Sequence, residues 1–206
     1  DTHDVNVNGT LSVLEAARAA AVEKVIFAST AAIYGDQEQL PLTTDLPAAP
    51  KSPYGLHKYI GEQYLRLWHE LYGLRSVSLR FFNVYGPYYD PNGPYALVVG
   101  RFLKFRQEGQ PLTIVGDGEQ TRDFIHVHDI IDAVLQAAES ETLGAGEVFN
   151  VGSGVETSVN EIAALVGGPT EPAPPRHEPR RVVADIAQTK SDLHWEPKRA
   201  LATGIA

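Results

Sequence analysis

The stretch from Ser52 to Leu65, "SPYGLHKYIGEQYL", places a tyrosine four residues ahead of a lysine, directly behind a serine and a proline. Serine then proline is how a helix begins: the hydroxyl accepts from free N–H groups of the first turn, and proline fits where no amide hydrogen is needed. The pattern predicts a helix from Pro53 to about Tyr72, ended by Gly73. On such a helix Tyr54 and Lys58 stack on one face, one turn apart. A nearby ammonium favours phenolate over phenol and lowers the ordinary tyrosine pKa of about 10 by roughly one to three units, into the range of a general base. The same spacing also occurs as a surface pair that merely steadies a helix, so the surrounding sequence has to decide.

Short apolar runs flank this helix. "KVIFAS" (24–29) and "SVSLRFF" (76–82) read as buried strands of a parallel sheet. Ahead of them, "DVNVNGTLSVLEAARAAA" (4–21) repeats Val7, Leu11, Leu14 and Ala17 or Ala21 at helical spacing. Beyond lie a Gly/Pro/Asn-rich loop at 83–94, a helix from Tyr95 to Glu108, the strand "PLTIV" (111–115), the turn "GDGEQ" and a helix in "HDIIDAVLQAAES" (128–140). A strand in "EVFNVG" (147–152) precedes a helix capped near Thr157 or Ser158. The proline-rich "GGPTEPAPPRHEPRR" (167–181) is expected to form no regular structure, with "VVADI" (182–186) a candidate short strand. Strands alternating with helices imply an α/β fold whose parallel sheet is covered on both faces. Ligands then bind at the carboxyl ends of the strands, which directs attention to the loops after Ser29, Phe82, Val115 and Val151.

The chain has 206 residues, 43% hydrophobic, enough for one large unit or two lobes. A formal charge of −9 argues against a nucleic-acid surface, so an anionic substrate needs local arginines. No apolar run approaches the roughly 18 residues of a membrane span, and nothing at the start resembles a signal peptide. With no cysteine to form disulfides, the composition fits a cytoplasmic protein. His126 and His128, followed by Asp129, read as a strand-to-helix junction rather than a metal site. The chain contains no methionine and is expected to continue upstream.

Six segments in order, "NVNGT", "FASTAAIYG", "SPYGLHK", "LRFFNVYGP", "GDGEQTRDFIHVHD" and "FNVGSG", resemble the extended short-chain dehydrogenase/reductases, the NAD-dependent nucleotide-sugar epimerases and dehydratases. The resemblance runs from about Asp4 to Trp195 and implies a Rossmann-like parallel sheet with a smaller C-terminal substrate lobe. It assigns residues 1–85 and 146–155 to the nucleotide domain, and residues 86–145 and 156–206 to the lobe. By position it implies Tyr54 as base, Lys58 as the cation that activates it and holds the nicotinamide ribose, and Thr30 as a hydroxyl relay. Asn6 matches a helix asparagine that completes a catalytic tetrad or serves only as structure. Ser29 and Phe81 fall beside the cofactor, Asn83 near the sugar and diphosphate, Thr113 and Val115 at the uracil pocket, and Arg122 at the diphosphate.

The tail departs from the family pattern: Arg176, His177, Glu178 and Pro179 stand one residue short, with Arg176 implied for phosphate and Glu178 for the nucleoside ribose. Dehydratases place an Asp-Glu pair after the threonine, where this chain has Ala31 and Ala32, so the resemblance favours C4 epimerisation of a UDP-sugar. The residue implied at the sugar C2 side is Val182, small enough for UDP-galactose and its N-acetylated counterpart alike. The family's glycine-rich NAD turn does not precede Asp4, and "GDGEQ" and "GSG" lack its spacing, so that part of the nucleotide domain is expected to be absent. The alternative is a non-catalytic chain that binds sugar nucleotides. The resemblance also implies a homodimer through helices 4–21 and 53–72, with Leu65, Trp68 and Leu71 suited to its face.

Overall fold

The structure, a computed structural model, describes residues 2–90, 97–176 and 178–205. A π-helical turn at Asp4–Asn8 leads into α1 (Gly9–Ala19), β1 (Lys24–Thr30), α2 (Pro53–Tyr72), β2 (Arg75–Phe81), β3 (Asn83–Tyr85), α3 (Val98–Gln107), β4 (Leu112–Val115) and β5 (Thr121–His126). Then follow α4 (Val127–Glu139), β6 (Ala145–Val151), β7 (Glu156–Ser158), α5 (Val159–Val166), β8 (Thr170–Ala173), α6 (Ala187–Asp192) and α7 (Leu201–Ile205). The α/β class expected from the sequence is the observed one.

Strands β1, β2 and β6 pair in parallel, in that order, and β2 is buried along its centre. Its alternation is unusual. Val77 and Leu79 enter a core with Phe149, Val151 and the fully buried Trp195, whereas the intervening Ser76, Ser78 and Arg80 are equally buried beneath α2. The helix supplies partners for two of these three: Ser76 donates to the Leu65 carbonyl at 3.3 Å, and Arg80 forks onto Glu62 at 2.8 and 2.9 Å, whereas the Ser78 hydroxyl has no hydrogen-bond partner among the described residues. The opposite face is closed by Ile130, Ala133 and Ala137 of α4 and by Leu193, with the Trp195 indole donating to the Asp129 carbonyl at 2.9 Å. Helix α4 therefore packs on the parallel sheet. A second core joins Val99 and Phe102 of α3, Leu112 of β4, Phe124 of β5 and Ile162 of α5.

The cap signals hold. The Ser52 hydroxyl accepts from the Gly55 amide at 3.1 Å, Pro53 opens α2, and Gly73 closes it in the left-handed region at φ 69°. Ser158 and Glu161 form a reciprocal capping box on α5. Three expectations need correction. "NVY" within the supposed loop is β3, drawn into parallel pairing with Phe124–His126. In the proline-rich tail, Thr170–Ala173 forms β8, parallel to β4. Leu112 and Gly116 donate to the Pro169 and Ala173 carbonyls, so the bonding residues alternate and Pro172 falls where no amide is called for. "VVADI" is a single bridge from Ala184 to Leu42 rather than a strand. Helix α3 begins at Val98; the expected start at Tyr95 lies outside the described residues.

Helix α2 is seated by two glycines. A Cβ on Gly61 would meet the Phe27 ring at 2.4 Å, and one on Gly55 would meet the Ala32 carbonyl oxygen at 2.6 Å. Alanine favours a helix over glycine by about 1 kcal/mol, so Gly55→Ala in free space would stabilise α2. Against a backbone oxygen it is expected to destabilise the fold by about 1–2 kcal/mol in urea denaturation; a gain in stability would show that α2 is not held against this turn.

Candidate active site

Strand β1 delivers Thr30 at its carboxyl end, where the chain turns into a short 3-10 segment, Ala31–Ile33. The Thr30 hydroxyl caps that segment, accepting from the Ala32 amide at 3.2 Å, and so faces the cleft above the sheet. The end of β2 delivers Phe81 to the same cleft, the residue after it Phe82, the start of β3 Asn83, and the first turn of α2 Tyr54. The cleft has a volume of about 1060 Å³. Tyr54 is 45% exposed on its wall.

Lys58 stands one turn below Tyr54. Its ammonium lies 6.0 Å from the Tyr54 ring centre and 4.9 Å from that of Phe27, and donates to the Ala28 carbonyl at 3.0 Å. Burial of the side chain pushes its pKa below the ordinary lysine value. Among the described residues, one of the three ammonium donors is engaged, and Lys58 is not among the residues that line the cleft. Asn6 lies in the π-turn ahead of α1, the kink that swings its side chain onto the cleft wall, while Thr10 donates to the Asn6 carbonyl at 2.7 Å. Ala31 and Ala32 also line the cleft, with no carboxylate at either position.

A second cavity of about 400 Å³ opens from the first and shares Asn83, Leu97, Arg122 and Glu178 with it. Thr113, Val115 and Arg176 line it, so the residues expected around a nucleotide are brought together. Arg122 is largely buried, donates to Glu178 at 2.6 Å and to the Thr121 carbonyl at 2.7 Å, and has its pKa lowered by that burial. Arg176 lies 3.5 Å from the other Glu178 oxygen. Glu178 thus bridges the two arginines, and it can accept from a ribose only by sharing or leaving that bridge. His177 lies outside the described residues. Sequence reasoning missed Arg101 and Phe105 in this cavity; their spacing on α3 is ordinary core periodicity, and only folding shows that they face inward, guanidinium 5.7 Å from the ring.

The segment carrying Glu178 and Val182 is strapped across the cleft from several sides. Arg180 forks onto Asp117 at 2.7 and 2.9 Å, and Arg181 onto Glu156 at 2.9 and 2.5 Å. The Ala184 amide donates to the buried Asp123 carboxylate at 3.1 Å, beside the Ser153 and Gly154 amides at 2.6 and 2.9 Å. The Arg180 fork holds the Asp117 carboxyl down at about 2. Val182 is thereby fixed on the cleft wall.

Ser29 is not brought to the cleft. Its side chain is 3% exposed and donates inward to Glu62 at 2.6 Å, because alternation along β1 turns it to the face opposite Thr30. Leu65, expected on a dimer face, is 1% exposed and packs with Leu14, Ala17 and Leu74 inside the chain. His126 accepts from the His128 amide at 3.1 Å as a helix cap, and among the described residues no group of three His, Cys, Asp or Glu could hold a metal ion.

The chain is 43% identical over 210 residues to a UDP-glucose 4-epimerase of Mycolicibacterium smegmatis, covering 98% of this chain and 66% of that protein. A crystal structure of a UDP-glucose 4-epimerase from Thermotoga maritima with UDP-glucose superposes with a TM-score of 0.92 at 39% identity, covering 98% of this chain and 67% of that one. The Thermus thermophilus UDP-glucose 4-epimerase complex with NAD gives 0.88 at 36% identity, covering 98% and 68%. The chain thus spans about two thirds of the length of these relatives. A profile of the NAD dependent epimerase/dehydratase family matches residues 1–152, which include β1, α2 and β2 with the Tyr54 wall of the cleft, and the chain belongs to that family.

Proposed function

We propose that the chain carries out NAD-dependent C4 epimerisation of a UDP-sugar through a 4-keto intermediate. The observation that carries this reading is one cleft lined by Thr30 and Tyr54 together with Ala31, Ala32 and Arg122. The Tyr54 wall fits the nicotinamide end of NAD: Tyr54 and Phe81 line it, and the Lys58 ammonium has donors left for ribose hydroxyls. When bound, NAD takes and returns the hydride at C4 of the sugar. Tyr54 takes the proton of the C4 hydroxyl and restores it after the sugar has turned. Thr30 bridges that hydroxyl to the phenol oxygen, and Lys58 places a positive charge 6.0 Å from the Tyr54 ring centre. Arg122 neutralises the diphosphate, which leaves the sugar free to rotate about an anchored nucleotide. No carboxylate at Ala31 or Ala32 is available to protonate a departing hydroxyl, which disfavours dehydration.

Val182, half-buried on the cleft wall, supports acceptance of both UDP-galactose and its N-acetylated counterpart. We also read the chain as a cytoplasmic homodimer paired through α1 and α2. Val13, Leu67 and Leu71 are 60%, 41% and 59% exposed on those helices, a set shifted outward from the residues the sequence suggested. Among the described residues no helix is long and apolar enough to cross a membrane.

Four outcomes are expected. In the chain supplied with NAD+, Tyr54→Phe lowers turnover of UDP-galactose by about 10²–10⁴-fold while its calorimetric affinity is retained, and the N-acetylated substrate turns over within about tenfold of UDP-galactose. Binding of UDP-galactose without turnover in the parent chain would instead favour a sugar-nucleotide-binding role. For Lys58, the folded pKa lies below the 10.5 of a free lysine, so its acetylation rises with pH earlier than that of a free lysine side chain in solution; a later rise contradicts the burial. In sedimentation, Leu71→Glu shifts the chain from dimer to monomer without unfolding it, and an unchanged sedimentation coefficient rules out this face.

A further inference from the structure

Between α2 and the sheet lies a buried polar cluster that the reaction does not use directly. Glu62 is the residue one turn beyond Lys58, as Lys58 is beyond Tyr54. Its carboxylate accepts from the Ser29 hydroxyl at 2.6 Å and from Arg80 at 2.9 and 2.8 Å, with both charged side chains at most 6% exposed. Ser29 belongs to β1 and Arg80 to β2, so one carboxylate ties α2 to two neighbouring strands. The adjoining residues on those strands, Thr30 and Phe81, line the cleft. The cluster continues laterally: the Arg80 guanidinium lies 4.8 Å from the Tyr34 ring, and the Tyr34 hydroxyl donates to Asn150 at 2.6 Å.

We propose that Glu62 is a positioning residue for the Tyr54–Lys58 pair, fixing through Ser29 and Arg80 the height at which α2 rides on β1. The proposal rests on the catalytic reading of Tyr54 given above. The geometry is that of two rungs on one strand: Lys58 holds the Ala28 carbonyl at 3.0 Å, and Glu62 holds the next residue, Ser29, at 2.6 Å. The first rung is a single flexible ammonium. The second is a short charge-assisted bond reinforced by a forked arginine, and it has no freedom to slide. Without it α2 can shift along or away from β1, carrying Tyr54 relative to Thr30, and a displacement of about 1 Å at a reacting centre costs about 10²-fold in rate.

The test compares the parent chain with Ser29→Ala, which removes one rung; with Glu62→Asp, which keeps the charge but shortens the reach; and with the charge-free Glu62→Leu/Arg80→Met. Each is measured for thermal midpoint, calorimetric affinity for UDP-galactose, turnover with NAD+, and the acetylation rate of Lys58 relative to Lys190 by peptide mass spectrometry. The double variant is expected to stay folded and to bind UDP-galactose within about threefold of the parent, with turnover down about 10–100-fold and relative Lys58 acetylation raised several-fold. Ser29→Ala and Glu62→Asp are expected to fall between, in the same order for turnover and for acetylation. A folded variant whose Lys58 acetylation and turnover both match the parent overturns the proposal. If the double variant does not fold, Ser29→Ala decides by the same two readings. A parent that never turns over, while Lys58 acetylation still rises in the variants, defeats the catalytic reading and leaves the positioning of Lys58 by Glu62 intact.

Discussion

Helix α2 lies so close to β1 that the contact has no room for a side chain on the helix. Gly61 meets the Phe27 ring, Gly55 meets the Ala32 carbonyl, and between and beyond them Lys58 and Glu62 hold consecutive residues of the strand. This close approach sets the rest of the site. It brings the first turn of α2 to the carboxyl end of β1, where Thr30 lines the cleft beside Tyr54, and it buries Lys58 enough to lower its pKa. A side chain at either glycine would lift the helix and separate the phenol from the hydroxyl it works with.

The second constraint is electrostatic. The chain carries a formal charge of −9, yet Arg101, Arg122 and Arg176 converge on one cavity, with Glu178 between the last two. An internal carboxylate there keeps buried arginine charge compensated before an anion arrives. The strap that presents Glu178 and Val182 is anchored by forked pairs at Asp117 and Glu156 and by the amide ring around Asp123, so its position is built by elements on both sides of the cleft.

What the sequence made legible was local. Ser52, Pro53 and Gly73 bound α2 because caps act through the backbone within a few residues, and the i, i+4 spacing of Tyr54 and Lys58 needs only a helix to be meaningful. Thr30, Asn83 and Arg122 were found through ordered motifs and do converge. The rest depended on partners distant in the chain. Thr170–Ala173 became a strand because β4 offered an edge on which Pro172 lost nothing. Ser29 and Leu65 turned inward because strand alternation and helix packing, rather than residue type, choose a face. Glu62 and Arg80 look like surface residues in the sequence, and only the polar face of β2 beneath α2 reveals them as a buried pair.

A crystal structure of the chain with UDP-galactose bound tests the central claim most directly. The account predicts the uracil in the smaller cavity beside Thr113 and Val115, the diphosphate on Arg122, and the sugar C4 hydroxyl within hydrogen-bond distance of both Tyr54 and Thr30. A sugar bound with C4 turned away from Tyr54, or a nucleotide seated outside the Arg122 cavity, would contradict it.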